Sequence, residues 1–488
     1  MDPQEFEALG LNPDRIASHL GRIRKTLKQG TSPQFSIVDT CRLDNHGILP
    51  LSKFTGKSAM KEFAAFVPAA GAATRYSAAL GPIRAALVGG GRDAVVHAAS
   101  TIHIEGPLPR LVRELLENPQ DFPVDRYDDV VMQLDLPKAL QPCVEDTLDT
   151  FLTVKDLEHR ALGGLKAQVY VAPHDMADMF LTHLGSSPLA TSVIEQGRDL
   201  STVRVDESGE IVLDGGKPSI VPAGHGALTE KLPEVRQKFA NCDAVFIRNI
   251  DNVMGTNETA KEATEQFLAA YSFVFDHIQT IRGALRDDSL DSAESAAAAL
   301  LTGTEETVDA DTSPLDQVLA KLFYTRSTSP SSLDTWRAHY HRPFNILGQV
   351  PNTANDVGGT PCFVRRADET IKLCLEVPHA SEEDKQSFLA NASKATHFNP
   401  VFACAEITDD PEYYANLADD FWLLAKKQFK GKSVYYHESV LYELIGNSVM
   451  ANCLFVEVPR AVFHPHKTIA DGAGRTFEGW FRSKTPKS

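Results

Sequence analysis

Short apolar runs recur along the chain, each ending in small or polar residues and followed by apolar positions at helical spacing. Phe63-Ala64-Ala65-Phe66-Val67-Pro68 is one such run; 167–173, 243–249 and 454–458 are others. Unbroken apolar runs of this length suit strands buried on both faces. The intervening spacing predicts helices over 76–87, 108–118, 144–162, 176–184, 257–285 and 314–324. In the second of these, Leu111, Val112, Leu115 and Leu116 form a single stripe. Further strands are expected at 191–196, 202–205, 211–213, 362–365, 371–377 and 401–407, with helices at 413–427 and 438–445. Residues 2–28 read as an N-terminal helical cap. Residues 287–313 are acidic, rich in Ala and Ser and without aromatics, and read as a peripheral insertion or mobile loop. Alternating strands and helices predict an α/β fold with a mainly parallel mixed sheet.

Length and charge narrow this picture. At 488 residues the chain exceeds one simple core, so two or three lobes are expected. The net charge of −17 argues against general nucleic-acid or anionic-membrane binding, and any phosphate chemistry must concentrate cations locally. No apolar run reaches membrane-spanning length. The opening MDPQEFEALG lacks a basic-then-apolar pattern, and none of the seven cysteines forms a C-x-x-C pair, so a reducing cytoplasm is expected.

The first strand runs into Ala69-Ala70-Gly71-Ala72-Ala73-Thr74-Arg75. A strand, a small-residue turn and a helix start would gather backbone N–H groups at one point, a cradle for an anion. Arg75 offers a planar fork for phosphate oxygens, and Leu136-Pro137-Lys138 a second cation on a turn. Gly71, His174 and Asp251 all fall just beyond the carboxyl ends of expected strands, where open α/β sheets handle ligands. Each feature has a plainer reading. The loop could be an ordinary strand-to-helix turn and Arg75 a surface ion pair. Asp251 in Asn249-Ile250-Asp251-Asn252 could be a turn or helix N-cap. His225 could sit in a plain loop, Glu376 could be internally paired, and Lys467 could be solvated.

Five further stretches complete a pattern: Pro222-Ala223-Gly224-His225-Gly226, Asn249 to Asn252, Gly358-Gly359-Thr360 with Leu375-Glu376, His397-Phe398-Asn399, and Val458-Pro459-Arg460-Ala461-Val462-Phe463-His464-Pro465-His466-Lys467-Thr468-Ile469-Ala470-Asp471. In this order, from about Phe63 to Asp471, the chain resembles the UDP-sugar pyrophosphorylases, the uridylyltransferase superfamily. It is also similar to a bacterial branch carrying a Pro-Ala-Ser/Ala-Gly-Ala-Ala loop. The resemblance implies a Rossmann-like nucleotidyltransferase core of glycosyltransferase-A type over 61–410, with the 287–313 insertion, an N-terminal helical segment over 1–60 and a C-terminal lobe over 411–488. It implies Mg²⁺-dependent transfer of a uridylyl group from UTP to a sugar 1-phosphate. Gly71, Thr74 and Arg75 would then lie along the triphosphate and Lys138 would neutralise pyrophosphate oxygens. Gln196 would lie near uracil. Gly224 would admit the base and His225 would face phosphate or sugar. Asp251 would hold Mg²⁺; Gly359, Glu376 and Asn399 would contact sugar hydroxyls; Lys467 would reach the phosphates. These segments would converge on one cationic cleft. The chain departs from the superfamily at Ala72 and Ala73, where glycines are usual, and after Glu376 and Asn399, so the nucleotide side is better preserved than the acceptor side. An inert nucleotide-sugar sensor or scaffold, and a nucleotidyltransferase using another base such as CTP, are the alternative readings.

Overall fold

The computed structural model describes residues 3–473 except 30–34, 72, 74, 146–148, 186, 255–256, 325–331, 354–357, 367–368, 392, 409–412, 415–416 and 418–420. The chain is a mixed α/β protein whose compact units are not successive stretches. The first unit comprises residues 1–64, 197–247 and 263–460; the second comprises 65–196, 248–262 and 461–488. Of the expected segments, 1–60 lies in the first unit, and 411–488 is divided between the two units after Arg460.

In the first unit the principal strands run in the order Leu49–Pro50, Asn452–Glu457, Phe344–Pro351, Phe402–Glu406, Ala244–Arg248. The first two pairings are parallel, and Phe402–Glu406 is antiparallel to Phe344–Pro351. Both faces are covered, which is why these strands read as unbroken apolar runs. The long helix Glu258–Arg286 packs Phe267 on Phe402, ring centroids 4.9 Å apart, and Tyr271 on Phe344 at 5.1 Å. A smaller antiparallel sheet joins Ser36–Thr40, Thr360–Arg366 and Glu369–Leu375. The N-terminal helix Pro13–Gln29 buries Ile16, Leu20 and Ile23 against Val203, Val205 and Trp422.

The second unit holds most of the strand Phe63–Pro68, together with the parallel strands Leu165–Pro173 and Ala190–Gln196. Helices Gly81–Gly89, Arg110–Glu117, Tyr127–Leu134 and Phe151–Ala161 supply its apolar core, with Val112, Leu115, Val130 and Leu152 nearly inaccessible.

Three local expectations need correction. Residues 287–313 are not a bare loop: Leu290–Gly303 is a helix. Its alanines read as low-complexity, but Ala293, Ala297, Leu300 and Leu301 form a fully buried stripe beside helix Pro314–Lys321. Residues 413–427 do not make one helix, since Leu423–Phe429 pairs with Lys432–Glu438 as an antiparallel hairpin. Side-chain spacing there fits either period, and cross-strand pairing decided it. Finally, residues 75–77 form a turn and Ala78–Leu80 a 3-10 turn, with the α-helix starting only at Gly81. The α-helix therefore does not begin at the end of the 69–75 loop, where the spacing predicts it. Among the described residues, no helix is long and apolar enough to cross a membrane.

Leu300→Ala should lower unfolding free energy by about 2–5 kcal/mol, the range for truncating a buried leucine. Urea titration checks this; a loss below about 0.5 kcal/mol would return the segment to the status of a loop.

Candidate functional site

Three ionic side chains fix the turn that follows strand Ala244–Arg248. Lys155 and Glu158 lie one turn apart on helix Phe151–Ala161, and Arg248 ends the strand; all three are buried to 1% exposure or less. Lys155 Nζ donates to Glu158 Oε2 at 2.9 Å and to the Asn252 carbonyl at 2.5 Å. Arg248 donates to the same Glu158 oxygen at 3.3 Å and to the Asn252 carbonyl at 3.0 Å. The other Glu158 oxygen accepts the Met254 N–H. Burial alone would push the Glu158 carboxyl up, but the Lys155 and Arg248 charges outweigh it and hold it below the usual range. The backbone is thus gripped at 252 and 254, beside Asp251.

The late motif meets this turn through its backbone. Asn252 and Pro465 form an antiparallel bridge; Val253 N–H donates to the His464 carbonyl at 3.0 Å and His466 N–H to the Asp251 carbonyl at 2.9 Å. Asn252 Oδ1 accepts the His464 N–H at 3.0 Å. That register brings Lys467 Nζ to 2.9 Å from Asp251 Oδ2, and Lys138 Nζ reaches the same oxygen at 3.0 Å. Thr468 and Asp471 form a capping box that starts the turn Ile469–Gly472 and ends the motif.

Lys138 opens the short helical turn Lys138–Leu140, and its N–H donates to the Gly71 carbonyl at 3.2 Å. Its ammonium lies over the rings of Tyr76 and Phe151, 5.3 and 5.4 Å from their centroids. Burial lowers the Lys138 pKa, Asp251 opposes that, and the Lys467 and Arg75 charges add to the lowering. Burial would raise the Asp251 carboxyl, yet Lys138 and Lys467 hold it below the usual range. Asp251 is 15% exposed, Lys138 10% and Lys467 47%, so one side of the cluster faces solvent. Three cations against one carboxylate give an acidic protein a local positive site.

Of the residues singled out from the sequence, the second unit brings together Gly71, Arg75, Lys138, Asp251 and Lys467. Gln196 ends its strand in the same unit, paired with Pro173. Thr74 and Ala72 lie outside the described residues. His174 Nδ1 lies 3.3 Å from Glu195 Oε2, and Glu195 accepts the Ala177 N–H at 3.2 Å, which sets Glu195 at a helix start.

Gly224, His225, Gly359, Glu376 and Asn399 belong to the first unit. Gly224 has φ +91°, and the Ser439 carbonyl lies 2.3 Å from where its Cβ would be, so the loop's own packing demands glycine. His225 Nδ1 accepts the Leu441 N–H at 3.3 Å. Gly359 is closed over by the Tyr442 ring, 2.4 Å from its would-be Cβ. Asn399 is fully buried; its amide donates to the Gly348 and Phe402 carbonyls and accepts the Val401 N–H. Gly359 and Asn399 thus act on the fold itself, through a backbone bridge between them.

Glu376 is different. Its N–H donates to Glu443 Oε1 at 2.5 Å, and its own Oε2 is buried without a hydrogen-bond partner. Glu443 is fully buried and also takes His379 Nδ1 at 2.7 Å; the other His379 nitrogen faces the Trp422 carbonyl at 2.5 Å. Burial disfavours a charged His379, but Glu443 wins and raises its pKa. Burial, then the charges of Glu443 and Glu438, push Glu376 up to about 7.

Sequence reasoning missed Lys155, Glu158, Arg248 and Glu443. The available signals were a Lys-x-x-Glu inside an apolar helix, an Arg closing an apolar strand, and a Glu within Val440-Leu441-Tyr442-Glu443-Leu444-Ile445.

The architecture is similar to that of UDP-glucose pyrophosphorylases. A UDP-glucose phosphorylase from Trypanosoma brucei is 14% identical with a TM-score of 0.54, covering 96% of this chain and 76% of that one. A variant UDP-glucose pyrophosphorylase from Leishmania major, crystallised with UDP-glucose, is 13% identical with a TM-score of 0.52 and the same coverage. A second Leishmania major variant with UDP-glucose scores 0.51 at 13% identity. At these identities the likeness is one of fold. The family model described as a domain of unknown function, DUF4301, matches residues 183–473, and the chain belongs to that family. No curated protein matches by sequence.

Two outcomes follow from the ionic geometry. Glu158→Ala removes the carboxylate that two buried cations share and should cost about 3–5 kcal/mol in urea unfolding; a loss under 1 kcal/mol would mean the turn is held otherwise. Glu376 has a folded pKa raised above its usual 4.5, so its contribution is fully present below pH 4.5 and lost as pH rises through about 7. Glu376→Gln should therefore be the more stable protein at pH 8 relative to pH 4.5, by on the order of 1–3 kcal/mol in the pH-dependent difference. Parallel denaturation curves at the two pH values check it.

Proposed function

We propose that the protein transfers a uridylyl group from UTP to a sugar 1-phosphate, releasing pyrophosphate. The observation that carries the reading is the Arg75, Lys138, Lys467 and Asp251 cluster, built from three distant chain segments in a fold shared with UDP-glucose pyrophosphorylases. The acceptor brings its own phosphate oxygen as nucleophile, so the protein needs no nucleophilic side chain. Its tasks are to hold two polyanions in line and to balance charge as the bond to pyrophosphate breaks. Lys138 and Lys467 are point charges for those oxygens, and Arg75 is a forked donor for them. Gln196, Gly224 and His225 would serve the nucleotide, and Glu376 the sugar.

Mg²⁺ fits this donor set on one condition. Asp251 supplies a single ionised carboxylate whose Oδ2 is shared by two ammonium groups. Mg²⁺ completes such a shell with phosphate oxygens and water, so phosphates must be present with it. Asp251 would hold the ion, which when bound would neutralise phosphate charge.

A second reading has an observation in its favour: Asp251 is already balanced by two lysines, as a site that binds nucleotide sugars without turning them over could be. Isotope exchange between labelled pyrophosphate and UTP in the presence of a UDP-sugar separates the two.

Purified protein with UTP, Mg²⁺ and a panel of sugar 1-phosphates should release pyrophosphate. Lys138→Ala or Lys467→Ala should lower kcat by on the order of 10²–10³. Absence of turnover above an Asp251→Ala control with every acceptor, and with CTP in place of UTP, would end the transfer proposal.

A further inference from the structure

A cleft of about 550 Å³ lies within the first unit, at the end of its sheet away from the strand carboxyl ends. Its walls come from helix Glu258–Arg286, the residues after helix Leu333–Tyr340, the exit of strand Phe402–Glu406 and the segment leading into Asn452–Glu457. Strands Phe344–Pro351 and Asn452–Glu457 are parallel and both start here, and the Asn452 N–H donates to the Pro343 carbonyl at 2.8 Å. Open α/β sheets handle their substrates past the other end of such strands. The 8 residues of Phe344–Pro351 separate the two ends by roughly 25 Å. The cleft is therefore a second site, and it stands independently of the transfer reading.

The lining is cationic. Arg282 is already spent: it forks onto the two Glu406 oxygens at 2.6 and 3.0 Å and donates to the Tyr340 and Arg342 carbonyls, each at 2.6 Å. Glu406 also accepts the Phe344 N–H at 2.7 Å, so the carboxylate in this wall is answered. Arg286 follows Arg282 by one helical turn and faces the same cleft, as do His341 and Arg342. Arg286 and His341 are exposed, and their side chains have no hydrogen-bond or ion-pair partner among the described residues. Arg342 is held at the wall by its bond to the Ser448 carbonyl at 3.3 Å. Ile407, Val449 and Met450 make up the apolar part.

We infer that this cleft binds a phosphate monoester whose organic part is apolar or aromatic. Among the described lining residues, three arginines stand against one carboxylate, an excess that suits a dianionic phosphate. Arg286 and Arg342 present planar forks to its oxygens, and His341 adds an N–H donor. The Arg282–Glu406 pair fixes the wall behind them and keeps that carboxylate from repelling the ligand. Ile407, Val449 and Met450 receive the organic part, and the volume falls within the range of about 300–1,000 Å³ usual for small-molecule sites. In a chain of net charge −17, a second concentration of cations around a concave surface marks a second place for an anion.

Calorimetry of the full chain with phenyl phosphate, inorganic phosphate and phenol tests the assignment. The titrations are run on the unmodified protein and on a Lys138→Ala, Lys467→Ala double variant, which removes the other cationic cluster. Phenyl phosphate should bind the double variant, and Arg286→Ala on that background should weaken it at least tenfold. His341→Ala should weaken it several-fold. Both positions are exposed, and circular dichroism verifies that the variants are folded. Inorganic phosphate should bind at least fivefold more weakly than phenyl phosphate, and phenol more weakly still. Unchanged affinity in a folded Arg286→Ala variant overturns the inference, and equal affinity for inorganic phosphate overturns the assignment of an organic ester. Binding lost entirely in the double-lysine variant also overturns it, placing the anion at Lys138 and Lys467 and leaving the transfer reading standing. No binding by any of these proteins overturns it as well, while pyrophosphate release from UTP continues to judge the transfer reading separately.

Discussion

A buried ionic clamp on one turn is the constraint on which the cluster of Lys138, Asp251 and Lys467 depends. Lys155, Glu158 and Arg248 are wholly out of water, and each satisfies the others and the backbone around Asp251. Such a group is a poor source of net stability, because desolvation offsets most of the attraction. Its value is geometric. Two cations converge on the Asn252 carbonyl and one carboxylate takes the Met254 N–H, so the intervening residues have little freedom. The antiparallel bridge from Asn252 to Pro465 then transmits that position to the late motif and sets where Lys467 falls.

Local charge runs against global charge here. A chain with net charge −17 repels polyanions at long range, so binding them requires cations held close together. Asp251 is what makes this tolerable. It offsets the mutual repulsion of Lys138 and Lys467, and stays ionised because they outweigh the effect of its burial. The ring faces of Tyr76 and Phe151 further accommodate the Lys138 ammonium without adding a second carboxylate.

The first unit uses its motif glycines and asparagine differently from what the motif suggests. Gly224 and Gly359 are filled from within by Ser439 and Tyr442, and Asn399 is engaged on every side by carbonyls and an N–H. Among the described residues, the groups that keep buried polar atoms without partners include Glu376, Glu443 and Gln349. Glycine in a motif can answer a neighbouring chain segment as readily as a ligand.

The sequence by itself determined the strand–helix alternation, because fully buried strands announce themselves as apolar runs and 167–173 and 243–249 could scarcely be anything else. It also placed Gly71, His174 and Asp251 just past expected strand ends and Lys138 on a turn, while Lys467 came from the late motif, far along the chain. What it could not decide depended on partners remote in the chain. Leu290–Gly303 became a packed helix because its alanines found a surface; Leu423–Phe429 became a strand because Lys432–Glu438 lay alongside. Lys155, Glu158 and Glu443 look like isolated charges in apolar stretches until the fold supplies their counter-charges. Burial and pairing are properties of three-dimensional neighbourhoods, and only the tertiary structure could say which charged groups were answered and which were left open.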